Sequence, residues 1–89
     1  MEITEVFYPQ NRSDWHHWLS AHHQSKTEVW VRSFNKASGQ PSLAYDDFVE
    51  VCLCFGWIDG AVKKYDPDSL VRRATPRRKK TFLSELNRQ

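Results

Sequence analysis

The sequence predicts an α+β domain: a small, largely antiparallel sheet with two main helices and a short C-terminal helix, in the order β-α-β-α-β-β-α. Three observations predict it. Two segments repeat apolar residues at helical spacing, and several short segments are rich in β-branched and aromatic residues. Gly, Pro, Asn and Asp lie between these segments. With 89 residues the chain is long enough for one domain, spanning 1–89.

The first predicted elements are a short strand and a helix. Residues 3–8, ITEVFY, alternate weakly and are closed by Pro9. Asn11 is placed to cap a helix, and Asp14 three residues later is a capping-box-like partner. The buried stripe of this helix should consist of Trp15, Trp18, Leu19 and His22.

A central strand is predicted at residues 28–34, EVWVRSF, because both of its alternating faces carry apolar groups. The following loop, 35–42, contains Ser42, which is placed to cap the second helix. That helix runs from Tyr45 to Phe55 and ends at Gly56. Its expected apolar stripe is Tyr45, Phe48, Val49, Cys52 and Leu53.

The rest of the chain predicts a β-hairpin and a final helix. Strands at 58–65 and 70–74 flank the turn residues 66–69, and Thr75-Pro76 should end the second strand. A short final helix is expected next, with Thr81 as its cap and Phe82, Leu83 and Leu86 as its apolar contacts.

Composition limits the classes of function. No run of about 18 apolar residues predicts a membrane span, and the acidic N-terminus MEITEVFYPQ lacks the positive charge of a signal peptide. A cytoplasmic protein is therefore expected. Cys52 and Cys54 are expected to be reduced, structural thiols, because their spacing does not favour a disulfide and no second pair completes a zinc site.

Charge is distributed unevenly along the chain. Residues 1–60 hold four basic and eight acidic side chains, whereas residues 61–89 hold nine basic and three acidic ones. Such a separation favours an anionic partner: a polyanion, an acidic ligand or an acidic protein. Nucleic-acid binding through residues 63–80 is one alternative, because basic residues are interleaved there with aromatic ones.

Asp59 directs attention to one region of the chain. It follows the apolar Trp57-Ile58 pair, so partial burial near the end of the second helix is expected, and a buried carboxylate needs a partner. Nearby arginines can supply that partner, either as a purely structural ion pair or as an arginine that Asp59 orients towards an anion. The predicted ligand-binding residues are Trp57, Asp59, Arg73, Arg77, Arg78 and Lys36.

Catalytic and metal chemistry lack comparable signals. The sequence has neither a GxxxxGK[ST] loop nor a GxGxxG motif, and no arrangement of Cys, Ser and His suggests a catalytic triad. The histidines at 16, 17, 22 and 23 lack the i, i+4 spacing that places two ligands on one metal. No catalytic residue, metal or cofactor is therefore predicted.

Several ordered blocks resemble a known family. The stretches SGQPSLAYDDFVEVCLCFGWIDG and RRATPRRKKTFLSELN, together with DWHHWLSAHH and EVWVRSFNKASG, are similar to the YdeI/OmpD-associated, or bacteriocin-protection, proteins of bacteria. The resemblance covers nearly the whole chain. Two positions depart from it: Ala74 replaces a usual aromatic, and Leu83 often corresponds to Trp.

The resemblance implies a biological process in which the protein acts, but it does not imply a chemical reaction. It associates the chain with tolerance of bacteriocins or cationic peptides, and it supplies no cofactor or catalytic residue. Members commonly continue with a further helical region, so it also implies an N-terminal domain or a short member. A non-enzymatic module that binds an anionic ligand or a protein partner is therefore expected.

Overall fold

Two helices and four strands make up the part of the chain that the computed structural model describes, residues 2–77. Their bounds are β1 Val6–Phe7, α1 Arg12–His22, β2 Val29–Phe34, α2 Tyr45–Cys54, β3 Trp57–Asp66 and β4 Ser69–Pro76, with a 3₁₀ helix at Lys36–Ser38. The α+β class is confirmed. The predicted C-terminal helix, with Thr81, Phe82, Leu83 and Leu86, lies outside the described residues.

The sheet is mixed, with the strand order β1-β2-β4-β3. β1 runs parallel to β2, because the chain between them contains α1, and a helical crossover returns a chain in the same direction. β4 lies antiparallel to both β2 and β3. The sheet is therefore largely antiparallel, as predicted, but the hairpin strand β4 lies inside it and β3 forms an edge of the described sheet.

Helix α1 follows its local sequence signals. The side-chain oxygen of Asn11 accepts a hydrogen bond from the Asp14 N–H at 2.9 Å, which confirms the predicted cap. Trp15, Trp18 and Leu19 are buried as predicted. His22, the fourth member of the predicted stripe, is only partly buried, and its ring packs at 4.8 Å from Trp18.

Helix α2 faces the core differently from the prediction. Its buried residues are Phe48, Val51 and Cys52, whereas Tyr45 and Leu53 are exposed. The helix has apolar residues on more than one stripe, and packing against α1 and the sheet selects the stripe centred on Val51. The predicted cap is also wrong: Ser42 Oγ accepts from the Phe34 N–H at 2.6 Å, and Ala44 takes the N-cap position.

One face of the sheet forms the main core with the two helices. Aromatic rings from β1, α1 and α2 stack there, with Trp15 at 5.5 Å from Phe48 and 5.7 Å from Trp18. The Trp15 indole N–H donates to the Phe48 carbonyl at 3.2 Å. From the sheet, the core receives Val29, Val31, Trp57 and Ala74.

The opposite face of the sheet carries two ion pairs. The residues of β2 alternate between the faces, so Trp30 and Arg32 point away from the helices, together with their partners Arg73 and Val71 on β4. Arg73 donates to Glu28, and Arg32 donates to Asp66 at 2.5 Å. These pairs hold β2 and its neighbours together at both ends.

The β3–β4 hairpin is confirmed and is longer than predicted. Asp66 fixes its turn, accepting from the Asp68 N–H at 2.9 Å and the Ser69 hydroxyl at 2.8 Å. The prediction that Thr75-Pro76 ends the second strand is confirmed, although both residues belong to β4, which ends at Pro76. A strand tolerates proline at its end, where the missing N–H removes no further ladder bond.

A bulge interrupts the pairing of β3 with β4. Asp59 lies opposite Ala74 and Val62 opposite Arg72, so Gly60 and Ala61 together face the single residue between them on β4. The bulge shifts the alternation of β3 by one residue. Beyond it, Val62 and Lys64 point towards the side of the sheet that carries the helices, until a second register shift between Lys64 and Asp66.

Neither described helix is long and apolar enough to cross a membrane.

Candidate functional site

A cavity of about 630 Å³ opens where the β3–β4 hairpin meets the chain that leaves β2. Its described lining combines three cationic residues with four apolar ones. The cationic residues are Lys36, Lys64 and Arg72, and the apolar residues are Phe34, Val62, Pro67 and Leu70. A volume of this size falls in the range of small-molecule sites, about 300–1,000 Å³.

The hairpin register brings two of the cations to one side of the sheet. Val62 lies opposite Arg72, and Lys64 lies opposite Leu70, so these four side chains share a face. Lys63 lies opposite Val71 and points to the other face. The bulge therefore selects which of the two adjacent lysines lines the cavity.

Lys36 reaches the same cavity from the 3₁₀ helix after β2. The side-chain oxygen of Asn35 caps this helix by accepting from the Ser38 N–H at 3.0 Å. Gly39 ends it with φ 74°, in the left-handed region that glycine adopts at little cost. The cap and the glycine fix the loop, and hence the backbone position from which Lys36 extends.

Positive charge dominates this cavity. Among residues 2–77, no carboxylate lies within ion-pair distance of Lys36, Lys64 or Arg72. Asp66 also lines the cavity, but it accepts hydrogen bonds from Ser69 and Arg32. The Ser69 hydroxyl, the Asp68 N–H and Arg32 lower the pKa of the Asp66 carboxyl, so it stays ionised and committed to those donors.

Arg72 is positioned by an aromatic ring. Its guanidinium carbon lies 4.6 Å from the centre of the Tyr45 ring, a cation–π contact. The Tyr45 hydroxyl donates to Asp59 Oδ2 at 3.1 Å, and this carboxylate raises the pKa of Tyr45, which keeps the phenol protonated. Asp59 therefore helps to fix the position of the Tyr45 ring that Arg72 contacts.

Two predicted site residues have different surroundings from those expected. Trp57 is 1% exposed and belongs to the main core, where its indole N–H donates to the His23 carbonyl at 3.4 Å. Asp59 is exposed, so the prediction of its partial burial is wrong. No arginine among the described residues forms an ion pair with it, because Asp59 points from the edge strand towards Tyr45 on α2.

Two of the predicted arginines do not line the cavity of Lys36. Arg73 and Arg77 line a second cavity of about 470 Å³ with Thr27, Thr75 and Pro76. Glu28 accepts from Thr4 and Arg73, which lower the pKa of its carboxyl. Of the predicted set, Lys36 lines the first cavity, Arg73 and Arg77 line the second, and Trp57 and Asp59 line neither, while Arg78 lies outside the described residues.

Sequence reasoning named Arg72 only as one possible partner of Asp59, and it did not include Arg72 or Lys64 among the ligand-binding residues. Uninterrupted alternation along β3 would place Lys63, rather than Lys64, on the same face as Asp59. Gly60 inside the predicted strand was the available signal, since an isolated glycine in a strand pattern suggests a bulge. A bulge at that position exchanges the faces of the two lysines.

The two cysteines are free thiols in different surroundings. Cys54 is exposed, whereas Cys52 is buried in the core, where desolvation raises the pKa of its thiol to about 12. Only the thiolate reacts with alkylating reagents. The expectation of two structural thiols therefore fits Cys52 better than Cys54.

We expect iodoacetamide at pH 8 to modify Cys54 at least about 100-fold faster than Cys52 in the folded protein, because Cys52 forms little thiolate and is shielded. Mass spectrometry of peptides over time measures both rates. Adding urea to unfold the protein is the control and should make the rates similar. Equal rates without urea would contradict the burial of Cys52.

Potential metal ligands are dispersed in the described part of the chain. No three His, Cys, Asp or Glu side chains of residues 2–77 lie together as a metal site. His16 and His23 instead pack against Phe55, with ring centres at 5.1 and 4.9 Å. These histidines extend the aromatic packing between the two helices.

Comparison with known proteins identifies a family without a described activity. The model of the family described as "Domain of unknown function (DUF8412)" matches residues 7–89. Because the match covers most of the chain, the protein belongs to this family. No curated protein and no solved structure matches the chain.

Proposed function

We propose that this DUF8412 domain is a non-enzymatic module that binds an anionic ligand in the cavity lined by Lys36, Lys64 and Arg72. One observation carries the proposal: three cationic residues line one cavity whose described carboxylate, Asp66, already accepts hydrogen bonds from Arg32 and Ser69. The described lining contains neither histidine nor cysteine to act as a base or nucleophile. Binding is therefore better supported than catalysis.

The electrostatics favour an anion at this position. Like charges around one cavity repel each other, and a bound anion converts this repulsion into attraction. Charge-assisted hydrogen bonds from lysine and arginine to oxyanions are among the stronger polar contacts in proteins. Tyr45 supports Arg72 before any ligand arrives, so less side-chain entropy is lost on binding.

The biological setting of the proposal comes from the motif resemblance described above. It suggests that the module acts in bacterial tolerance of bacteriocins or cationic peptides, from the cytoplasm. An acidic segment of a protein partner is another form in which the anion can be presented. These parts of the proposal rest on the sequence motifs and on charge, and the cavity supports only their common requirement for an anion.

Titration of the ¹⁵N-labelled protein with a panel of small anions tests the site. We expect saturable chemical-shift changes for at least one of inorganic phosphate, phenyl phosphate and benzoate, centred on residues around the cavity. Lys64→Gln and Arg72→Gln should each weaken binding about tenfold or more, since a hydrogen bond to a charged group contributes about 1.5–3 kcal/mol.

Lys63→Gln is the matched control. It removes the same charge one residue away, on the opposite face of the sheet, and should change the dissociation constant less than about twofold. If no anion of the panel saturates, or if Lys63→Gln weakens binding as much as Lys64→Gln, the cavity is not the binding site.

A nucleic-acid interface is the second candidate, because Lys63 and Lys64 are followed by an exposed Tyr65 on the edge strand β3. Oligothymidylate binding followed by fluorescence anisotropy at two salt concentrations distinguishes the candidates. A phosphate-tracking surface predicts strong salt dependence and similar losses for both lysine variants. The cavity proposal predicts that the oligonucleotide binds weakly. It also predicts that Lys64→Gln lowers the affinity for small anions and leaves the affinity for the oligonucleotide unchanged.

A further inference from the structure

We infer that the ligand of this cavity is a small phosphate monoester whose phosphate is carried on a compact apolar body. The inference rests on the proposed function and narrows it, because it specifies both halves of the ligand. Three features of the cavity lead to it: its charge, the donors that it presents and the apolar part of its wall.

The charge of the cavity suits a dianion. Lys36, Lys64 and Arg72 with the single carboxylate of Asp66 give the described lining a formal charge of +2. A phosphate monoester carries about −1.5 to −2 at pH 7, whereas a carboxylate or one diester phosphate carries only −1. A monoester therefore neutralises the site most completely.

The available donors suit phosphate as well. The Arg72 guanidinium carbon lies 4.6 Å from the Tyr45 ring centre, and a guanidinium in contact with a ring can form paired hydrogen bonds with two oxygens. Each lysine ammonium offers three further donors. A terminal phosphate presents three oxygens to such a set, so it can contact donors from both strands of the hairpin and from the loop of Lys36.

The apolar residues of the cavity favour a ligand that carries an apolar group as well as a phosphate. Phe34, Val62, Pro67 and Leu70 line the same cavity, and Val62 is 50% exposed. Covering this surface stabilises a complex by roughly 25 cal/mol per Å² of apolar area removed from water. Inorganic phosphate would leave that wall in water, whereas a phosphorylated aromatic or hydrocarbon body would cover it.

Calorimetric or NMR titration at pH 7.4 with phenyl phosphate, inorganic phosphate and benzoate tests the inference. We expect phenyl phosphate to bind at least about fivefold tighter than either fragment, because only it satisfies the cations and the apolar wall together. Adenosine monophosphate in the same series shows whether a nucleoside serves as the body better than a hydrocarbon ring does.

Val62→Thr tests the apolar wall with little change in volume. It should reduce the affinity for phenyl phosphate by about twofold to fivefold and leave that for inorganic phosphate unchanged, since it removes one apolar contact and no charge. The side chain is half exposed, so this substitution is expected to leave the fold intact. An equal loss for both ligands would place the phosphate, and not the body, at Val62.

The pH dependence supplies an independent readout. The second ionisation of a phosphate monoester has a pKa of about 6. The charged groups of the described lining are Lys36, Lys64, Arg72 and Asp66, with Arg32 behind Asp66, and the described lining contains no histidine. Affinity for phenyl phosphate should therefore rise severalfold from pH 5 to 7.5, while affinity for benzoate should stay nearly constant.

The outcomes separate the two proposals. If benzoate or inorganic phosphate binds as tightly as phenyl phosphate, and Lys64→Gln weakens all three, the anion site stands and the phosphate-monoester inference is wrong. If phenyl phosphate affinity does not change with pH, the dianion argument fails on its own. If none of the anions binds, both the proposed function and this inference fail.

Discussion

Replacing Trp57 with alanine is expected to destabilise the domain by about 3–5 kcal/mol, the usual cost of truncating a buried tryptophan. Trp57 is 1% exposed, and its ring meets Trp18 edge-on at 6.0 Å. It joins the edge strand to both helices. Domains of this size have total free energies of unfolding of roughly 5–15 kcal/mol. The variant should therefore unfold at a much lower urea concentration than the wild type.

Urea unfolding followed by circular dichroism measures this effect. Leu53→Ala is the control, because Leu53 is 59% exposed and its removal should change the free energy of unfolding by about 0.5 kcal/mol or less. If Trp57→Ala retained nearly all of its stability but lost anion binding, Trp57 would be a ligand contact, as the sequence first suggested, and not a core residue.

Arg32→Ala is expected to have the next largest effect on stability, about 1–2 kcal/mol from the lost ring contacts and the lost bond to the buried Ser69 hydroxyl. The Arg32 guanidinium lies 4.4 Å from the Phe34 ring centre and 5.0 Å from that of Tyr65. Its Nε donates to Ser69 Oγ at 3.1 Å. Arg32→Lys should recover less than half of the loss, because an ammonium group cannot reproduce the planar fork.

Chemical denaturation at pH 7 and at lower pH checks this prediction. The pKa of Asp66 is lowered in the folded protein, so its carboxylate stabilises the fold above its unfolded pKa and loses that contribution as the pH falls through the folded value. The difference between wild type and Arg32→Ala should therefore narrow as the pH falls below about 4. Arg12→Ala is the control.

Arg12 also contacts two carboxylates, Asp47 and Glu50, but all three side chains are exposed, so its loss should cost clearly less than that of Arg32. Equal losses for the two arginine variants would show that the rings and the buried serine add nothing. A difference that does not change with pH would show that Asp66 contributes little through Arg32.

Local signals predicted the first helix and the hairpin well. Asn11 and Asp14 fix the start of α1 through contacts four residues apart or fewer, and the Asp66–Ser69 turn depends on equally short contacts. Helix α2 was harder, because apolar residues occupy more than one of its stripes. Only the packing against α1 and the sheet decides that Val51 is buried and Leu53 is exposed.

The candidate site was predicted only in part because its residues meet through the sheet. Lys36 was named from the sequence, but its neighbours Lys64 and Arg72 lie 28 and 36 positions further along the chain. Their meeting depends on β4 lying between β2 and β3, and on the bulge in β3. Neither feature follows from local periodicity. The closeness of Asp59 to arginines in the sequence therefore suggested a contact that the sheet does not form.

The bulge in β3 also bears on how the protein behaves at high concentration. An outermost strand offers unpaired N–H and C=O groups, to which a second molecule can add a strand. Here Gly60 and Ala61 break the spacing of those groups, and Lys63 and Lys64 would bring like charges together if two copies approached edge to edge. The bulge that places Lys64 on the cavity side of the sheet therefore also disfavours the pairing of two copies along this edge.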